Sequence, residues 1–152
     1  MLTGNKNFLT PQNFKFTINS EKYPNLDYFV TATTMPGVSV SAVEASFRGL
    51  SYPFASDSLQ YDDLVIQFNI DEDLNNYTET YNWIKSLSNS EQPYSEDAIL
   101  TIFSSHNNAV KQIKFYDVFP TNITGIEFNS QVTSTDYLQA SVTFTYTSYE
   151  IL

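Results

Sequence analysis

The sequence predicts a mainly β body that carries a single α-helix, over about 73–87. Three observations predict it. Leu64, Ile66, Phe68 and Ile70 recur every second residue, the period of a strand with one buried face. Beyond Asp71 the period changes: Leu74, Tyr77, Tyr81 and Ile84 fall at helical spacing, and Leu87 extends the stripe. Twelve Phe and eleven Tyr, against only four Gly in 152 residues, suit half-buried strands rather than a disordered chain.

Each element has its own signal. Phe14, Phe16 and Ile18 alternate with Lys15 and Thr17, giving a first strand. Leu26–Thr33 reads as a second, after the turn signal Tyr23-Pro24-Asn25. Met35-Pro36-Gly37 interrupts it, because proline disfavours helix before it and removes a ladder donor. Val38 and Val40 resume the alternation. From about 44 to 60 the period is lost while Phe47, Leu50, Tyr52, Phe54 and Leu59 accumulate, which reads as a long apolar loop. Solvated loops rarely carry so many large apolar groups, so this one packs on its own domain or on a neighbouring molecule.

Asp71-Glu72-Asp73 opens the helix through a side-chain cap and the positive end of the helix dipole. Glu79 falls opposite the apolar stripe. Trp83 lies beside that stripe, so it either widens the buried face or touches another molecule. Ser88–Glu96, with Pro93, is a polar connection; Ala98–Ser104 is a strand. Ser105-His106-Asn107-Asn108 turns into a strand over Val110–Tyr116, which Pro120 ends, and Ile123–Phe128 is a further short strand. In the last strand, Tyr137–Tyr149, Leu138, Ala140, Val142, Phe144 and Tyr146 take one face. Gln139, Ser141, Thr143, Thr145 and Thr147 take the other, which is polar and uncharged. No repeat or boundary divides the chain, so 1–152 is one domain.

Seventeen acids against seven bases give a formal charge of −10, the wrong sign for gripping nucleic acid phosphates. The absence of cysteine excludes disulfides and thiolate metal sites. The opening residues lack the apolar core of a signal peptide, and no apolar run approaches a membrane span, so folding in a cytoplasm is expected.

Candidate chemistry is thin. Asp71, Asp73 and Asn75 match the opening of a calcium loop, but Asn76 stands where glycine is needed and Asn82 where the bidentate Glu belongs. A helix cap explains these acids better. His106 is the only histidine, and no nucleophile-elbow pattern accompanies it. Asn76-Tyr77-Thr78 and Asn122-Ile123-Thr124 match the glycosylation pattern without a secretory signal. The sequence therefore predicts no catalytic, cofactor or metal site and no enzyme.

The order of these features carries a resemblance. An early strand pair runs into Ala32-Thr33-Thr34-Met35-Pro36-Gly37 and an apolar segment. Tyr61-Asp62-Asp63-Leu64 follows with its strand, then Asp71-Glu72-Asp73 and a helix ending Asn82-Trp83-Ile84. A hairpin, Val118-Phe119-Pro120-Thr121-Asn122-Ile123 and a polar-faced last strand complete it. From about Phe14 to Leu152 the chain resembles the tail tube proteins of contractile-tailed bacteriophages. Type VI secretion tube proteins and baseplate tube initiators share that plan.

The resemblance implies an antiparallel β-barrel or sandwich with one helix, six copies joined edge to edge in a ring, and rings stacked into a hollow tube. It implies a tail sheath protein around the tube, a baseplate initiator below it, and tape-measure protein and genomic DNA in the lumen without specific binding. The location it implies is the tail of a virion, assembled in the host cytoplasm, with no membrane. Glu44, Phe47, Arg48, Leu50, Tyr52, Phe54 and Leu59 are then the candidate subunit interface. Joined edges would satisfy backbone groups that open edges expose. Six copies would carry −60 (six times −10), an acidic lumen on which DNA slides. A tube initiator or terminator ring of the same fold is the nearest alternative. A carbohydrate-binding β-sandwich is the alternative of another class, since aromatic side chains stack on sugars as well as on each other.

Overall fold

The computed structural model describes residues 8–19, 21–89, 95–133 and 136–152. In chain order it has β1 (Phe14–Thr17), α1 (Pro24–Tyr28), β2 (Val30–Thr33), β3 (Val38–Phe47), β4 (Leu50–Tyr61) and β5 (Leu64–Asn69). These are followed by α2 (Asn75–Asn89), β6 (Glu96–Phe103), β7 (Ala109–Ile123), β8 (Gln139–Thr145) and β9 (Ser148–Ile151). Seven strands form one antiparallel sheet in the order β1-β6-β7-β8-β5-β2, with β9 also on β7. β3 and β4 pair only with each other.

The long strand β7 makes this sheet a sandwich. Its first half pairs with β6 and β9; from Phe119 on it pairs with β8. Between the halves Asp117 takes a φ of 56°, and its backbone N–H donates to Asp97 Oδ1 at 3.3 Å. A strand that turns a corner in this way serves two sheets. Phe16, Leu100, Ile113 and Phe115 from one layer meet Leu64, Ile66, Phe68, Val142 and Phe144 from the other in a common core. The sheet ends at β1 and β2, which do not pair, so the sandwich is not a closed barrel.

β5 and β8 follow their alternation faithfully: Leu64, Ile66, Phe68, Ala140, Val142 and Phe144 are buried, with the residues between them turned outward. Other expectations need correction. The single helix is joined by a short second one, α1, inside the strand expected over Leu26–Thr33. Pro24 sits in its first turn, where a missing N–H costs nothing. Buried Leu26 and a hydrogen bond from Ile18 N–H to Asp27 Oδ1 at 2.9 Å fix it against β1. Pro120 does not end its strand. It is buried in the half of β7 that pairs on one side only, next to a bulge, where a lost donor is tolerated. The strand ends at Ile123, so Ile123–Phe128 is not one. The last strand divides into β8 and β9, with Thr147 N–H turned to Tyr116 O at 3.0 Å. The connection expected over Ser88–Glu96 lies partly outside the described residues.

α2 forms where the sequence places it, capped by Asp71 Oδ1, which accepts Asn75 N–H at 2.7 Å. Its buried face is a different one. Asn76, Thr80 and Trp83 are buried, whereas Leu74 and Tyr81 are 36% and 51% exposed. Leu74 stands before the helix at a φ of 58°, outside the stripe it was counted in. Asn76 is buried because its side chain works as a staple. Its Nδ2 donates to Asn69 O at 2.6 Å, and its Oδ1 accepts Tyr77 N–H at 2.9 Å. Tyr77, Ile84 and Leu87 are half-buried on the flanks.

Glu79 is not on a free outer face either. Asn25 Nδ2 donates to its Oε1 at 2.7 Å, while its Oε2 is buried with no hydrogen-bond partner. Nearby, burial pushes the Asp27 carboxyl up from 3.8 to about 6; the Ile18 N–H and Lys15 pull it down and Glu79 adds to the rise. A carboxyl whose folded pKa is raised binds its proton more tightly folded than unfolded. The stability it contributes is full below about pH 4 and is lost as pH rises through about 6. Acidifying from about pH 7 to about pH 5 should therefore raise the Tm of the parent relative to Asp27→Asn, across the Asp27 window. Parallel Tm–pH profiles for the two proteins would remove Asp27 as a source of pH dependence.

Candidate assembly surfaces

The segment over about 44–60 is not a loop. It belongs to a β-hairpin, β3–β4, whose residues are all exposed except for half-buried Ser56 and Tyr61. Arg48 and Gly49 form its turn with φ values of 51° and 75°, the pair of positive angles that matches strand twist in a two-residue hairpin turn. The register runs Phe47↔Leu50, Ala45↔Tyr52, Val43↔Phe54. Opposite residues of a ladder share a face, so these six side chains form one apolar face. The other face carries Ser46↔Ser51, Glu44↔Pro53 and Ala42↔Ala55, small or polar groups. Past an irregularity between Val40 and Ala42, Val40↔Leu59 and Val38↔Tyr61 extend the apolar character to the base.

Phe47 is 65% exposed, Leu50 59%, Tyr52 45% and Phe54 58%. Such a row of large apolar groups on a projecting hairpin is much more than the single exposed residues normal on a surface. Of the candidate interface residues, the hairpin thus gathers Phe47, Leu50, Tyr52 and Phe54 on one face. It puts Leu59 beyond the irregularity and turns Glu44 to the opposite face. Glu44 and Arg48 are not partners. Glu44 Oε2 accepts Ser51 Oγ–H at 3.2 Å, and the Arg48 guanidinium lies 5.3 Å from the centre of the Phe47 ring.

The base of the hairpin is held firmly, which gives the projection a defined direction. Tyr146 O–H donates to Asp62 O at 2.7 Å and Tyr149 O–H to Pro36 O at 2.9 Å, one on each strand exit. Tyr61 meets both rings edge-on, at 5.8 and 5.3 Å, and Phe115 packs behind them. Burial raises the Tyr146 phenol above its usual range, so it stays a hydrogen-bond donor at any working pH. Gly37 lies close against the other strand exit: a Cβ at this position would meet Asp62 Oδ2 at 2.9 Å, so the Asp62 carboxylate would have to swing aside.

Two further surfaces lie on the β2-β5-β8-β7 half of the sheet. Its rims, β2 and the stretch of β7 from Phe119 to Ile123, each have one strand partner in the register. Its face away from the core pairs Val65↔Thr143, Gln67↔Ser141 and Asn69↔Gln139. Elsewhere the chain offers little chemistry. His106 is an exposed turn residue whose N–H donates to Ser104 Oγ at 3.3 Å. Among the described residues no three His, Cys, Asp or Glu side chains gather as a metal site. No helix among them is long and apolar enough to cross a membrane.

No protein-family model and no curated protein sequence matches the chain. Solved structures do. A chain of the sheath–tube complex of an extracellular contractile injection system superposes with a TM-score of 0.74 at 16% identity, covering 97% of this chain and 93% of that one. A chain from the tube-terminating cap of the anti-feeding prophage gives 0.74 at 13% identity over 100% and 95%. Hcp1 from Flavobacterium johnsoniae gives 0.58 at 15% identity over 91% and 94%. The structures matched are tube, cap and baseplate assemblies and Hcp, not enzymes. This chain has the tube-like fold shared by contractile injection systems and the type VI tube protein Hcp.

Proposed function

We propose that this chain is the structural subunit of a contractile tail tube of the bacteriophage type. Six copies form a ring, and the rings stack into a hollow rod inside a sheath, rising from a baseplate initiator. The lumen holds tape-measure protein and then conducts DNA without binding it specifically, and the working location is the virion tail. The observation that carries this reading is the β3–β4 hairpin, a rigidly based projection whose apolar face nothing among the described residues covers. A stacked ring supplies the missing surface, and edge-to-edge joining supplies partners for the rims β2 and Phe119–Ile123.

One observation favours a second reading. A chain of the anti-feeding prophage baseplate matches with a TM-score of 0.72 and one of a sheath/tube terminator with 0.74, as well as the sheath–tube chain. An initiator or terminator ring would use the same fold and stop after one layer.

Negative-stain electron microscopy of the purified protein, with light scattering at high concentration, tests both. Rods of indefinite length support the tube subunit; rings that never stack support the initiator or terminator. A strict monomer, even when seeded with baseplates, sinks both. A monomer that also binds glycans would instead make this a carbohydrate-binding sandwich.

A further inference from the structure

The open face of the β2-β5-β8-β7 half is uncharged in a chain whose formal charge is −10. Gln67, Ser141, Thr143 and Gln139 offer it hydroxyls and amides, with Val65 between them. Among the described residues, acids meet this surface at its two ends: Thr145 Oγ–H reaches Asp63 Oδ1 at 3.5 Å at one, and Asp136 lines a recess with Asn69 and Gln139 at the other. The other face of the same strands is the core, covered by the second sheet and by α2.

On the tube reading, joining the rims of neighbouring copies closes these strands into one ring-shaped sheet with an inside and an outside. The covered face carries a second sheet ~10 Å away, and α2 adds a further layer of about 10 Å. Six such layers turned inward would fill the channel. The open face must then line it. We infer that the conducting surface of the tube is a neutral wall of hydroxyls and amides, with the acids confined to ring mouths and outer surface. Such a wall stays hydrated yet concentrates ions of neither sign, so it passes a hydrated polymer of either charge. This replaces the acidic lining expected from composition, and it rests on the tube reading.

The absence of cysteine makes the test clean. Gln67→Cys places one thiol on an exposed position in mid-face, four residues and about 13 Å along the strand from Asp63. Rods of this protein are treated, at physiological salt, with a small anionic thiosulfonate, a small cationic one, and a maleimide on a bulky polyethylene glycol. The expected result, relative to dissociated subunits, has two parts. The bulky reagent slows by about tenfold or more, and the cationic-to-anionic rate ratio stays within about fivefold. Undiminished reaction with the bulky reagent puts the face outside, and loss of reaction with all three puts it between copies. A ratio changed by more than about fivefold means a charged wall. Each of these overturns the inference while leaving the tube reading intact. Ser141→Cys, on the facing strand, repeats the test should Gln67→Cys fail to fold. Failure of the parent protein to form rods overturns the tube reading, and this inference with it.

Discussion

Replacing Trp83 by alanine should lower the unfolding free energy by about 3–5 kcal/mol, the range for truncating a buried large aromatic. The indole is 2% exposed, stacks on Tyr23 at 4.4 Å and lies 5.8 Å from the Phe144 ring. It therefore joins three elements: the segment leading into α1, the helix α2 and the core strand β8. Its removal leaves a cavity bounded by rigid rings that cannot collapse to fill it. Tyr81→Ala is the contrasting case. That ring is 51% exposed, so its loss should stay within about 0.5 kcal/mol in the monomer. Urea unfolding of both proteins checks this, with unchanged slopes showing that stability alone has moved. Equal losses at Trp83 and Tyr81 would mean that α2 packs by a different face.

The existence of α2 was legible in the sequence; its orientation was not. Counting apolar side chains selected Leu74, Tyr77, Tyr81 and Ile84. The face that packs contains Asn76 and Thr80, polar residues that satisfy themselves locally. Thr80 Oγ–H donates to Asn76 O at 3.1 Å, and the Asn76 amide closes onto Asn69 O. A buried polar group with all its partners looks, in one dimension, like a surface residue. The strands β5 and β8 were easier, because each has one face on the core and one in solvent, which imposes a clean period of two. α1 escaped notice because five residues are too few to show any period.

The hairpin was misread for a different reason. Val43, Ala45 and Phe47 alternate, and so do Leu50, Tyr52 and Phe54, but the two residues Arg48 and Gly49 lie between the runs. A turn of two residues shifts the parity seen along the chain without shifting the face. Arg48-Gly49 was the available signal, weaker than Asn-Gly because arginine seldom adopts a positive φ. The stretch was singled out as a candidate interface nonetheless, on the simple ground that so many large apolar groups together needed a covering surface. Which of them share a face became visible only through the register.

The register makes the assembly prediction specific. Phe54→Asp should leave the monomer folded and abolish rods at concentrations where the parent forms them. Phe54 is 58% exposed and opposite Val43, in the middle of the apolar face, and it contributes nothing to the core cluster. In a stacked interface the same position would be a central aromatic anchor, for which truncation typically costs 2 kcal/mol or more; about 1.4 kcal/mol is already tenfold in affinity. A buried, unpaired carboxylate adds to that loss, and six-fold symmetry repeats it at every contact in the ring. Ser46→Asp, on the opposite face of the same hairpin, separates a specific contact from a general effect of charge and should weaken assembly far less. Arg48→Glu should fall between them. It keeps the turn's exposure but places a carboxylate at the tip in a chain already at −10, and so repels an acidic neighbour where the guanidinium could pair with it. Circular dichroism checks that all three proteins fold, and electron microscopy reads rod length. Normal rods from Phe54→Asp would take the apolar face out of the interface, whatever Arg48→Glu does. Normal rods from Arg48→Glu alone would leave that face in place and remove only the tip.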